Sequence, residues 1–179
     1  MGPTLFIHLP QSLTREEIEA LHNWLSRTTH SLKRQVDAWE FQTDNDTCLC
    51  SLAIVPFGAE SAGDGEVTDI HLSVEERAEY EEKLGYVPST SLQLDNYCRS
   101  DKKGHEQLTK MSILLTRKHD GVINVGRAVD IFISGAKSSG RHLPGRWHVV
   151  TVAGIRDEYL VDAEFMEQWV NDSEFHLEI

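Results

Sequence analysis

No apolar run in this chain is long enough to cross a bilayer, and cysteine is too scarce to build a disulfide scaffold. The longest apolar stretch, Cys48 to Phe57, supplies about half of the roughly 20 residues that a spanning helix needs. The start, MGPTLFIHLPQ, has no positive leader and too short an apolar run for a signal peptide, so a soluble, cytoplasmic protein is expected. Gly2 follows Met1, but Phe6 stands where a myristoylation motif needs Ser or Thr, and no lipid anchor is implied. The chain has 3 cysteines, an odd number, and the side chains of Cys48 and Cys50 would share one strand face, with Cys98 far along the chain. A zinc centre needs paired ligand clusters, and no second cysteine pair or His-x-x-x-His accompanies Cys48-Leu49-Cys50. The thiols read as buried, and neither metal nor cofactor is expected.

Positive charge is also scarce. The 179 residues carry 17 Lys and Arg against 29 Asp and Glu, a formal net charge of −12. Nucleic-acid binding requires a basic face, and a field of this sign repels phosphate. Nucleic acid and membrane are therefore not expected as partners, whereas a basic protein is compatible. Net charge also serves solubility with no partner at all.

Catalytic signatures are missing as well. The histidines, His8, His22, His30, His71, His105, His119, His142, His148 and His176, are scattered. His105-Glu106 is followed by Thr109 where the HExxH pattern needs a second histidine. There is no Gly-x-Ser-x-Gly, and Ser134-Gly135 and Ser139-Gly140 lack the strand-turn-helix setting of a nucleophile elbow. Gly121 and Gly126 have the GxxxxG spacing of a phosphate loop. However, they follow a helix and enter a strand, and Arg127-Ala128 replaces the required Lys-Ser/Thr. Catalytic residues are not assigned.

The pattern that is present alternates strand and helix signals. Thr4 to Leu9 reads as a strand, and Thr14-Arg15-Glu16-Glu17 is a capping box opening a helix that buries Ile18, Leu21 and Leu25. Val36 to Thr43 and Cys48 to Phe57 read as a hairpin about Asp44-Asn45-Asp46. Ala59 to Gly65 reads as a flexible loop and Glu66 to Leu72 as a strand. Ser73-Val74-Glu75-Glu76 is a second capping box, whose helix runs to Leu84 and stops at Gly85. Ser89 to Tyr97 is a strand and Arg99 to Gly104 a polar loop. A helix from Glu106 to Lys118 follows, with Leu108, Met111 and Leu115 inward and Gly121 as its left-handed cap. Val122 to Val125 is a strand, Ser134 to Arg146 a mobile Gly- and Ser-rich loop, and Trp147 to Val152 and Asp157 to Val161 are strands. Asp162 caps a last helix with the apolar stripe Ala163, Met166, Trp169 and Val170, and Phe175 to Ile179 closes as a strand. The expectation is one α+β domain over 1–179, with a mixed or mainly antiparallel sheet and about four helices.

Two acidic concentrations stand out: Glu66, Asp69, Glu75, Glu76, Glu79, Glu81 and Glu82, and then Asp157, Glu158, Asp162, Glu164, Glu167, Asp172, Glu174 and Glu178. Solvated faces account for both. A functional version would steer a basic partner and fix its register by ion pairs around an aromatic centre such as Trp169 or Tyr159. The candidate partner-binding residues are Glu75, Glu76, Glu79, Glu82, Glu164 and Glu167, with Trp169.

The opening MGPTLFIHLP, the central HDGVINVG and the closing VDAEFMEQWVNDSEFHLEI together resemble an uncharacterised family of small bacterial proteins across the whole chain. Asn124, Val125 and Arg127 stand where that family's stretch has Asp, Phe and a second Gly. The family supplies no catalytic residues. It is similar in size, acidity and α+β layout, though not by motif, to immunity proteins that neutralise toxins used between bacteria. The resemblance implies an immunity-type inhibitor of a basic toxin. The alternatives are an enzyme with an anion pocket at Arg141, His142 and Arg146 beside the 134–146 loop, and a regulatory or scaffolding module.

Overall fold

The structure is a computed structural model and describes residues 4–42, 49–61, 67–69, 72–97, 102–126, 133, 145–152 and 156–171. The strands are β1 (Thr4–Leu9), β2 (His30–Gln35), β3 (Ala38–Gln42), β4 (Leu49–Pro56), β5 (Ala59–Ser61), β6 (Val67–Asp69), β7 (Thr90–Asn96), β8 (Val122–Asn124), β9 (Trp147–Val152) and β10 (Arg156–Val161). The helices are α1 (Arg15–Thr28), α2 (Val74–Leu84), α3 (Lys102–His119) and α4 (Ala163–Val170). Eight strands form one antiparallel sheet in the order β2-β3-β4-β7-β1-β8-β10-β9, and β5 pairs with β6. The fold is α+β, as the sequence pattern predicts.

Register explains the two faces. Successive strand side chains alternate, and directly opposed residues share a face. Ile7 on β1 lies opposite Leu92 on one side and Ile123 on the other, while His8 lies opposite Ser91 and Phe6 opposite Asn124. The first face therefore collects Leu5, Ile7, Leu9, Leu52, Leu92, Leu94, Ile123 and Val161. These are buried with Leu21 and Leu25 of α1, Met111 and Leu115 of α3, and Phe165, Met166 and Trp169 of α4. Each fully buried aliphatic side chain contributes about 1.5–3 kcal/mol, so this face holds most of the stability.

The opposite face carries a smaller, separate cluster of Tyr80, Val122, Val150 and Leu160, flanked by Phe57, Leu72 and Leu84. Tyr80 is the one buried side chain of α2. That helix thus covers the β8-β10-β9 end of the second face.

Several expectations are corrected. β2 has no counterpart in the sequence pattern, because it is an edge strand of exposed polar residues in which Leu32 alone is half-buried. Val36 is not a strand residue but sits in the β2–β3 turn, 86% exposed. Ala59–Ser61 is a strand rather than loop, because Ala59 pairs with Asp69 and Ser61 with Val67. α3 begins at Lys102, inside the predicted polar loop. The left-handed residue after α3 is Asp120 at φ 52, not Gly121. The glycine is needed for approach instead, since a Cβ there would lie 2.8 Å from the His8 carbonyl oxygen. The Asp44-Asn45-Asp46 turn, positions 134–144 of the Ser134 to Arg146 loop and the closing Phe175 to Ile179 lie outside the described residues.

Candidate functional site

Both predicted capping boxes form. The Ser73 hydroxyl accepts the Glu76 N–H at 3.1 Å, and the Glu76 carboxylate accepts the Ser73 N–H at 2.7 Å. Glu76 is therefore committed to starting α2. Glu79 is committed too, because its carboxylate accepts the Thr151 backbone N–H on β9 at 3.2 Å. Of the four acidic residues expected on this helix, Glu75 and Glu82 are left facing solvent, joined by Glu81. Lys83 reaches Glu82 at 3.4 Å, an exposed contact of small energetic weight. Val74, Glu75, Ala78, Glu81 and Glu82 are all exposed and fall on one side of the helix by three- and four-residue spacing. Val74 is 78% exposed, an apolar side chain beside Glu75 with the exposed Arg77 three residues on.

The second acidic concentration is arranged differently. Asp162 caps α4, accepting the Phe165 N–H at 2.9 Å and the Arg146 N–H at 2.8 Å. Glu164 is exposed, and Glu167 accepts Arg117 of α3 at 2.6 Å, so part of its charge is neutralised locally. Trp169 is 1% exposed and packs in the main core, which removes it from the set of surface anchors. Tyr159 is half-buried against Trp147, with ring centroids 6.3 Å apart. α2 packs on one face of the sheet and α4 on the other, so the two acidic concentrations do not merge.

The structure also assembles a polar chain that no sequence motif announces. Ser91 of β7, His8 of β1, Asn124 of β8 and Glu158 of β10 line up across four neighbouring strands on the second face, all of them buried. His8 Nδ1 lies 2.8 Å from the Ser91 hydroxyl, and His8 Nε2 lies 3.3 Å from Asn124 Nδ2. The Asn124 carbonyl accepts the Gly126 N–H at 2.9 Å, which fixes the amide with its NH2 toward His8 and Glu158. Nε2 must then accept, so the ring proton sits on Nδ1 and is donated to Ser91. The ring is oriented to give a proton to the serine rather than take one, the reverse of a general base. Phe57 and Tyr80 close over it, with the Phe57 ring edge-on at 4.8 Å and that of Tyr80 at 6.4 Å. Burial pushes the imidazole down to about 3, and the ring is neutral at neutral pH.

A family model matches residues 1–178 of the chain. The protein belongs to DUF6368, a family of unknown function. No curated protein and no solved structure matches it. This bears out the expectation of an uncharacterised family spanning the chain. Membership in DUF6368 brings no residue roles.

The alternative site of this DUF6368 member is only partly described, since Arg141 and His142 lie outside the described residues. Arg146 is exposed and its Nε lies 3.5 Å from Asp162. Burial, then the cations of Arg146 and Lys83, hold His148 below the ordinary histidine range. A surface groove of about 790 Å³ lies elsewhere, lined by Ser12, Thr14, Glu17, Lys118, His119 and Asp120 among others. Hydrogen bonds from the Thr14 backbone and hydroxyl hold the Glu17 carboxyl below its usual range. His119 Nδ1 stands 3.9 Å from that carboxylate, while burial followed by Lys118 keeps the ring low. Among the described residues no three His, Cys, Asp or Glu side chains group as metal ligands, and no helix is long and apolar enough to cross a membrane.

Proposed function

We propose that this protein is a non-enzymatic binding module, most concretely an immunity-type inhibitor that neutralises a basic bacterial toxin through an acidic surface. The observation that carries this reading is the outer side of α2. That helix is seated by Tyr80, the half-buried Leu84 and the Glu79–Thr151 bond, and it turns Val74 and Ala78 outward among Glu75, Arg77, Glu81 and Glu82. An apolar spot with a mainly acidic rim, interrupted by Arg77, matches the anatomy of a binding patch, with an apolar centre to be desolvated and a charged rim to set orientation. The overall charge of −12 adds long-range steering toward a cation-rich partner. Inhibition would be steric, with the rim carboxylates engaging the toxin's Lys and Arg side chains and the body of the sheet covering its active site. Glu164 on the other face is a secondary contact in this reading, and Glu167 a weaker one because Arg117 already engages it.

The test is binding to a small basic protein encoded beside this one, measured across salt concentration. Reversing Glu75→Lys and Glu82→Lys should cut the association rate by about tenfold or more and flatten its salt dependence. Unchanged affinity and salt dependence would remove α2 from the interface.

One observation favours a second reading, an enzyme or binding protein with an anion pocket beside positions 134–146. Arg146 and Lys83 both lie close enough to His148 to act on it, with Asp162, the contact of Arg146 at 3.5 Å, acting the other way. Phosphate-dependent shifts of the His148 ring in an NMR titration would support it, and a ring indifferent to millimolar phosphate would remove it.

A further inference from the structure

His8 has no place for a second proton. Its Nδ1–H is given to Ser91, and its Nε2 already faces an N–H of Asn124. The side chains around the ring are Ser91 from β7, Asn124 from β8, Phe57 after β4 and Tyr80 from α2. Among the described residues the titratable groups turned toward this ring are Tyr80 and, through Asn124, Glu158 of β10.

We propose that His8 is an acid-operated latch on α2: a proton arriving at Nε2 turns the Asn124 amide over and lifts the helix from the sheet. The proton balance is simple. A proton from solvent binds Nε2, which becomes a donor, and Asn124 must present its carbonyl to receive it. The turned amide then sets its NH2 against the Gly126 N–H, which loses its acceptor. The Glu158 carboxylate loses its amide donor at the same time. Neither arrangement satisfies the buried polar groups, so the imidazolium needs water.

A way to water runs through α2. Tyr80 and Phe57 are the cover on His8, their own rings 4.9 Å apart and edge-to-face, and Tyr80 is the only side chain that α2 buries. Among the described residues the cluster beneath α2 holds 4 buried side chains, flanked by Phe57, Leu72 and Leu84, and is separate from the main core. Opening this unit breaks the Glu79–Thr151 bond and exposes little apolar surface, whereas reaching His8 from the other side would dismantle the main core. If α2 is the partner-binding helix, acid would release the partner. That consequence rests on the reading above, but the opening of α2 itself does not.

Amide exchange measured by NMR on the full chain tests the latch, read as protection factors, which divide out the intrinsic pH dependence. An opened form whose His8 returns to the ordinary 6.5 lowers α2 protection by about 25-fold between pH 7 and pH 5, while β1 and β7, which exchange only when the whole sheet unfolds, stay better protected than α2 at both pH values. His8→Gln should abolish that loss in α2. Nitrogen-15 ring spectra of the unmodified protein, which need no variant to fold, should show the Nδ1–H tautomer at pH 7. An Nε2–H tautomer, α2 protection no lower than that of β1, or no loss in α2 would each overturn the proposal.

Discussion

The carboxylate of Glu79 on α2 accepts the backbone N–H of Thr151 on β9 at 3.2 Å. Among the described residues β9 is an edge strand, and an edge amide with no strand beside it invites pairing with another chain. A helix side chain that takes this donor both closes the edge and ties α2 to the sheet. Glu79→Ala should therefore cost about 1 kcal/mol in a urea unfolding titration, with Glu79→Gln recovering most of it, because the amide oxygen still accepts. Glu75→Ala, on the exposed side, should stay within about 0.5 kcal/mol of the unmodified protein. Equal effects at positions 75 and 79 would mean that the Thr151 contact carries no stability.

Gly121 and Gly85 separate two reasons for glycine. A Cβ on Gly121 would stand 2.8 Å from the His8 carbonyl oxygen and 2.9 Å from Leu9 Cδ2, against a backbone that cannot yield. Gly85 has open space around it but a φ of 80. Gly121→Ala should cost about 1–3 kcal/mol through overpacking against β1. Gly85→Ala should cost roughly 1–2 kcal/mol through left-handed strain alone. The distinguishing measurement is the His8 ring spectrum, which Gly121→Ala should shift and Gly85→Ala should leave in place.

Trp169 provides a test of burial against function. Trp169→Ala empties a site in the main core and should cost about 3–5 kcal/mol. Arg117→Ala, which removes the half-exposed partner of Glu167, should cost under about 1 kcal/mol. The melting temperature reads both, and a Trp169→Ala protein with unchanged stability would contradict its place in the core.

Much of the fold is legible in the sequence because its signals are local. Thr14 with Glu17 and Ser73 with Glu76 put both halves of a capping box within four residues, and Asp162 precedes an apolar stripe at helical spacing. β2 is illegible because only Leu32 touches the core, so the strand has no buried face to alternate with. Ala59–Ser61 is hidden by its small residues, since its pairing depends on Val67–Asp69. Trp169 belongs to that apolar stripe, and an aromatic inside such a stripe is core before it is anchor. The chain from Ser91 to Glu158 could not be read at all. Its contacts join residues 83, 116 and 34 positions apart, through a strand order that does not follow the sequence. A polar residue inside each of several apolar strands is the one trace it leaves, and nothing local says that they meet.

Acid should weaken the whole fold through His8, and the sign follows from the direction of its shift. The folded ring sits at about 3 against 6.5 when exposed, so the unfolded chain binds the proton first. The stabilising preference for a neutral ring is intact above pH 6.5 and is lost progressively as pH falls toward 3. Between pH 7 and pH 5 the loss is about 2 kcal/mol, from one proton at about 1.4 kcal/mol per pH unit. His119 and His148 are shifted in the same direction and add to the slope. The carboxyl of Glu17 is held low, and its contribution disappears only at more acid pH, outside this window. The difference between the unmodified protein and His8→Gln therefore isolates His8: the variant should lose about 2 kcal/mol less over the same range in urea titrations. Parallel slopes for the two proteins would show that His8 takes up its proton without cost, and would place the acid sensitivity on the other two rings.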